Sequence, residues 1–147
     1  MNNRLVNFYM TVANQCANMS RARRLQVGSV IVKDDNIISF SWNGTPSGWD
    51  NNCEEEYLHE DGSTTLKTRP EVLHAESNAI AKLARSNNSG CNADIFITHA
   101  PCLDCAKLIY QSGIRRVWFG QAYRDSAGIE FLQRSGIEVT QHDNTKI

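Results

Sequence analysis

The sequence predicts an α/β domain of three layers, α/β/α, around a five-stranded mixed sheet. An antiparallel first hairpin is followed by parallel strands joined through helical crossovers. Three observations predict it. Apolar spacing switches repeatedly between helical and strand periods, a polar turn separates the first two β-branched or aromatic runs, and helices separate the three later strands. The 147 residues, 41% of them hydrophobic, are enough for one core and too few for two ordinary domains, so residues 1–147 read as a single domain.

Leu5, Phe8, Tyr9, Val12, Cys16 and Met19 recur at helical spacing, giving a first helix over residues 4–19 in which Cys16 is a packing residue. A basic connector, residues 20–26, leads into a β-branched strand over 27–32. Lys33-Asp34-Asp35-Asn36 is the turn, and Ile38, Phe40 and Trp42 alternate along the second strand. From residue 43 to about 71 the composition turns to Gly, Pro, Asn, Glu, Ser and Thr, including the acidic run Glu54-Glu55-Glu56. A stretch of that length reads as a functional or disordered loop inserted in the domain. Then follow an alanine-rich helix over 72–87, a buried strand over 93–98, and a helix over 102–112 that opens after Pro101 and closes at Gly113. A strand over 116–120, a helix over 127–135 ended by Gly136, and a strand over 137–140 complete the chain.

The formal net charge of -1 argues against a surface built for polyanions, which leaves a small-molecule partner and no nucleic acid. No run of about twenty apolar residues is present and the start lacks a secretory stretch, so the expectation is a soluble, cytoplasmic protein without a membrane partner. Five cysteines, an odd number, include a Cys-x-x-Cys pair, which suits reduced thiols and metal ligation better than a disulfide framework.

Two motifs carry the chemistry: His74-Ala75-Glu76 and Pro101-Cys102-Leu103-Asp104-Cys105. Taken singly, a Cys-x-x-Cys is as often a redox pair or half a structural zinc site, and His-x-Glu occurs by chance. Joined, one imidazole and two thiolates supply three zinc ligands, and a catalytic zinc keeps its fourth position open. Glu76 is then a carboxylate left over for proton transfer. Cysteines at a helix start are favoured as thiolates by the helix dipole. Because residues two apart on a helix face nearly opposite ways, His74 and Glu76 can share a site only if His74 sits at the helix entrance, outside the regular turn. Cys53, His59 and Cys91 have no tidy fourth ligand to make a second metal site.

With those motifs in place, the chain resembles the zinc-dependent cytidine and deoxycytidylate deaminase superfamily, and its deoxycytidylate branch most of all. The blocks that carry the resemblance are Arg24-Leu25-Gln26-Val27-Gly28-Ser29, Trp42-Asn43-Gly44-Thr45-Pro46-Ser47-Gly48, Leu73-His74-Ala75-Glu76-Ser77-Asn78, Pro101-Cys102-Leu103-Asp104-Cys105-Ala106 and Gln111-Ser112-Gly113-Ile114. The long insertion separates this branch from tRNA adenosine deaminases and free-nucleoside deaminases. The resemblance implies a cytidine deaminase-like fold and hydrolysis of dCMP to dUMP and ammonia, supplying dUMP for thymidylate synthesis. One Zn2+ per subunit would be held by His74, Cys102 and Cys105, with Glu76 as the catalytic proton carrier.

It further implies that Asn43 contacts the sugar, although Asn43-Gly44 is equally a turn signal, and that backbone groups of Ala75 and Ala100 read the pyrimidine edge. For the phosphate, Arg21, Arg23 and Arg24 precede the first strand while Tyr123 and Arg124 follow the fourth. Arg24 and Tyr123 are the assignments, against a rival reading as solvated surface. Relatives respond to dCTP and dTTP through the loop of Asn43, Gly44, Pro46 and Gly48, and the usual assembly is a homo-oligomer, a hexamer. Two other functions stay open: a deaminase acting on RNA or another heterocycle nucleotide, which would want a basic surface, and a non-catalytic zinc-binding module, for which Glu76 has no use.

Overall fold

A computed structural model describes residues 1–123 and 125–142. Arg124 therefore lies outside the described residues. The first helix, α1 (Asn3–Asn18), is capped by Asn2, whose side-chain oxygen accepts the Leu5 N–H at 2.9 Å. The strands β1 (Gly28–Lys33) and β2 (Asn36–Trp42) form the expected hairpin. Asp34 and Asp35 take the positive φ values of 51° and 59° that its two-residue turn needs.

The insertion departs from the expectation of a loop. It folds into a two-stranded antiparallel sheet, β3 (Glu54–Leu58) and β4 (Thr64–Thr68), closed by a turn in which the His59 N–H reaches Ser63 O at 2.8 Å. Its strands expose most of their side chains on both faces, so no apolar alternation announces them. The next helix, α2 (Ala75–Ala84), starts three residues later than its apolar pattern suggests. The reason is backbone pairing: Leu73 exchanges two hydrogen bonds with Gly44, at 2.8 and 3.1 Å, which holds the approach to α2 extended.

From there β5 (Asp94–His99), α3 (Leu103–Gln111), β6 (Arg116–Gln121), α4 (Ala127–Arg134) and β7 (Glu138–Gln141) alternate. The main sheet has the order β2-β1-β5-β6-β7, antiparallel across β2-β1-β5 and parallel across β5-β6-β7. That is the mixed five-stranded sheet the sequence predicts. Its two faces follow the two-residue period of the strands. Val30, Val32 and Phe96 face α1 and pack with Val6, Tyr9, Met10 and Ala13, while Ile31, Ile95, Ile97 and Val117 face α2, α3 and α4. Phe96 stacks on Trp118 with centroids 6.0 Å apart, and Cys16 is buried in the α1 layer as a packing residue.

Three hydroxyl or amide groups pin α2 to the sheet: Ser29 Oγ donates to Ala75 O and Ser39 Oγ to Ala79 O, both at 2.8 Å, and Asn78 Nδ2 donates to Ser41 Oγ. Buried hydroxyls so placed satisfy polar groups that burial would otherwise leave costly. On the far side, α4 is fitted against the start of α3 at Gly128, where an added Cβ would lie 2.2 Å from Pro101 O. Gly128→Ala must push α3 and α4 apart. It is expected to destabilise the protein by about 1–3 kcal/mol in urea unfolding, the usual cost of overpacking. A change below about 0.5 kcal/mol, the scale of an ordinary surface substitution, would show that this contact yields freely.

Candidate active site

The metal-ligand candidates come from the starts of two helices. His74 is the N-cap of α2 with extended φ/ψ of -75° and 153°, and Cys102 is the N-cap of α3 with -71° and 170°. His74 thus lies outside the regular helix, and its offset from Glu76, the second helical residue, is resolved. Neither N-cap side chain bonds its own helix, which leaves the imidazole and the thiol free for one another. His74 Nδ1 lies 3.6 Å from Cys102 Sγ and 3.3 Å from Cys105 Sγ. All three ligand atoms fall within 4.8 Å of one another.

Those separations fit zinc. With Zn–S of about 2.3 Å and Zn–N of about 2.0 Å at a tetrahedral angle, an N···S edge comes to about 3.5 Å. Among the described residues this is the one grouping of His, Cys, Asp or Glu that brings three ligand atoms together. The set has three members, so a fourth coordination position is left to solvent or substrate.

The electrostatics agree with that donor set. The Cys102 thiol is drawn down to about 4, first by its hydrogen bond with Cys105 and then by that with His74. Cys105 moves the other way, because it shares its proton with Cys102 and is buried. One thiolate is therefore prepared in advance, and the second ionises when a cation arrives to replace the shared proton. His74 is raised chiefly by the same bond to Cys102. Glu76, only 4% exposed, has its carboxyl raised by burial. It lines the same cavity as His74 and Cys102 without belonging to the three-residue cluster.

A cavity of about 520 Å3 opens over this cluster, a volume in the range of small-molecule sites. Arg24, Asn43, Ala75, Ala100 and Tyr123, the five positions expected around a substrate, all line it with His74, Glu76 and Cys102. Of the other loop positions expected to bind effectors, Gly44, Pro46 and Gly48 are not among its walls, and neither are Arg21 and Arg23. The carboxyl ends of two parallel strands meet here, His99 at the end of β5 followed by Ala100 and Gln121 at the end of β6 followed by Ala122 and Tyr123, in keeping with ligand placement at such ends.

Asn43 proves to be a brace as well as a wall. Its Oδ1 accepts the Val27 N–H at 2.9 Å and its Nδ2 donates to Leu25 O at 2.8 Å. Asn43 and Gly44 form no turn, because Gly44 pairs with Leu73 in an isolated bridge, and the Asn43 amide keeps one further N–H and one lone pair. Ala75 is similar. Its carbonyl is taken by Ser29, so its contribution to the cavity is an N–H of the first helical turn. Ala100 donates its N–H to Gln121 O at 2.8 Å.

Sequence reasoning missed four polar walls, Glu54, Thr68, His99 and Gln121. His99 adjoins Ala100 and could have been found from it. Its imidazole stays neutral to lower pH because it is buried, and it bonds Thr98 Oγ1 at 3.0 Å. Glu54 and Thr68 belong to the insertion hairpin, which carries no pattern in the sequence.

Comparison with known proteins follows the same lines. The profile of the cytidine and deoxycytidylate deaminase zinc-binding region matches residues 4–121. The crystal structure of dCMP deaminase from the cyanophage S-TIM5 in complex with dCMP and dUMP superposes with a TM-score of 0.86 at 41% identity, covering 97% of this chain and 99% of that one. Human deoxycytidylate deaminase is 36% identical over 81% of this chain, and the Saccharomyces cerevisiae enzyme 34% over 95%. The chain spans 66% of the human protein's length and 45% of the yeast protein's.

Replacing His74 by Ala or Cys102 by Ser should cut bound zinc from one equivalent per chain to below about a tenth, read by metal analysis after dialysis. Full zinc retention in either variant would remove that residue from the ligand set.

Proposed function

This chain is a zinc-dependent deaminase of the cytidine and deoxycytidylate deaminase family, and on that premise we propose that it hydrolyses dCMP to dUMP and ammonia. The observation that carries the reading is a buried carboxyl, Glu76, against a three-ligand cluster, in a nucleotide-sized cavity that Arg24 also lines. Zinc, when bound by His74, Cys102 and Cys105, supplies a Lewis acid at which water loses a proton near neutral pH.

Every other part belongs to the protein. Cytosine presents an oxygen acceptor at C2 and an amine donor at C4. The Ala75 N–H and the Ala100 carbonyl are the complementary pair, and they stand on the two segments that also carry the metal ligands. Glu76 takes a proton from the attacking water as its oxygen bonds to C4, and gives that proton to N3 as the C4=N3 electrons move onto nitrogen. C4 is then tetrahedral. Glu76 next carries the remaining hydroxyl proton to the amine, the C4–N bond breaks, and C4 becomes a carbonyl as ammonia leaves. Burial that holds the carboxyl's pKa up suits a group that must both accept and return a proton. Asn43 would contact the sugar and Arg24 and Tyr123 the 5′-phosphate, a reading supported by the presence of all three in the cavity lining.

Regulation by dCTP and dTTP is part of the proposal. Gly44 and Leu73 are joined by two backbone hydrogen bonds, so an effector held at Asn43, Gly44, Pro46 and Gly48 would press directly on the segment that ends in His74. The assembly proposed is a homo-oligomer, a hexamer, using exposed apolar side chains such as Leu108 and Tyr110 of α3. The described residues contain no helix long and apolar enough to cross a membrane.

Ammonia release from zinc-loaded protein should be confined to dCMP when dCMP, deoxycytidine, dCTP and a short single-stranded DNA are compared. Silence on dCMP would reject the reading, and turnover of the DNA would favour a polynucleotide substrate. Glu76→Gln should lower turnover by at least about 100-fold, the scale of general acid–base help, while zinc content stays at one per chain. A rate within tenfold of wild type would exclude Glu76 as the proton carrier. At low dCMP, added dCTP should raise the rate and dTTP lower it, and insensitivity to both would discard the regulatory loop.

A further inference from the structure

The base of the insertion hairpin grips the arginine connector, and we infer that Glu54 is the positioning residue that sets Arg24 for a substrate phosphate. Glu54 is the first residue of β3 and Thr68 the last of β4, and they are cross-strand partners. Both line the active-site cavity. The Glu54 side chain is 1% exposed. Its Oε2 accepts the N–H groups of two consecutive residues, Arg23 at 2.8 Å and Arg24 at 2.9 Å. Its Oε1 makes no hydrogen bond and lies 3.5 Å from Arg23 Nε. Across the ladder, Thr68 Oγ1 receives Arg24 Nη1 at 3.0 Å.

These contacts sort the cations. Arg21, Arg23 and Arg24 are crowded within four residues, and nothing in their own sequence says which should face the cavity. Glu54 pairs with Arg23 and spends that charge. By holding the backbone at Arg23 and Arg24, it turns the Arg24 side chain toward Thr68 and the cavity wall. A carboxylate beside a phosphate site would otherwise repel its ligand. Two N–H donors and one guanidinium offset that charge here, so its role is to orient the arm and not to touch the anion. The insertion is thereby part of the substrate site, through its base, whatever its tip does.

The inference rests on the monophosphate reading above, and its test separates the two. The quantity to measure is the phosphate increment, the Kd of deoxyuridine divided by that of dUMP, by calorimetry on zinc-loaded protein. Glu54→Ala should reduce the increment at least tenfold with deoxyuridine affinity and zinc content unchanged. Glu54→Gln should keep it within threefold of wild type, because one amide oxygen can still accept both N–H bonds. Arg24→Leu should abolish most of the increment, and adding Glu54→Ala to it should cost nothing more, since one residue acts through the other. If Glu54→Ala does not fold, Thr68→Val serves in its place, with a severalfold loss expected and none in the Arg24→Leu background. An increment within twofold of wild type in Glu54→Ala, or in Thr68→Val where that variant stands in, overturns the Glu54 assignment alone, as do losses that multiply with Arg24→Leu. A wild-type increment near one overturns the monophosphate reading and this inference with it.

Discussion

The structure depends on one juxtaposition, the starts of α2 and α3 placed side by side so that their first residues face a common point. Unsatisfied N–H groups of two helices converge there, and the bonds of Cys102 with Cys105 and His74 hold its thiol down to about 4 while Cys105 keeps the shared proton. Each ligand-bearing helix is held by contacts remote from the ligands. Ser29, Ser39 and Ser41 of the sheet fix α2, and the close contact of Gly128 with Pro101 fixes the entry to α3. A cation bound between them is also a tie between two elements 28 residues apart in sequence, counted from His74 to Cys102, so metal affinity and folding stability are linked.

The same arrangement explains why one carboxyl can work beside the ligands. With His74 as the cap and Glu76 on the first turn, a two-residue offset directs both groups to one site, where a regular helix would separate them. Glu76 is then a buried carboxyl beside the three-residue cluster, with its pKa raised by that burial.

Most of this was legible in the sequence because the determinants are local or periodic. The apolar runs of β1 and β5 and the alternation of Ile38, Phe40 and Trp42 along β2 mark the strands, the Pro101 and Gly113 boundaries bracket α3, and the His-x-Glu and Cys-x-x-Cys spacings define the donor set. What stayed hidden has a common cause. The β3–β4 hairpin is polar on both faces and exists through cross-strand backbone pairing, the late start of α2 is imposed by Gly44 pairing with Leu73, and Glu54 reads as one more acidic surface residue. Each is set by a partner distant in sequence. Glu54 is the clearest instance, since the residue beside it in the acidic run, Glu55, is exposed while Glu54 is buried against a connector about thirty residues away.

The central claim is that His74, Cys102 and Cys105 are the whole protein contribution to a zinc ion that keeps one position open. X-ray absorption at the zinc edge of the loaded protein tests it directly. The account predicts two sulfurs at about 2.3 Å, one imidazole nitrogen at about 2.0 Å, and one further light atom from solvent at a similar distance. A shell closed by a third sulfur or a second imidazole would contradict it, because the metal would then have no position left at which to activate water.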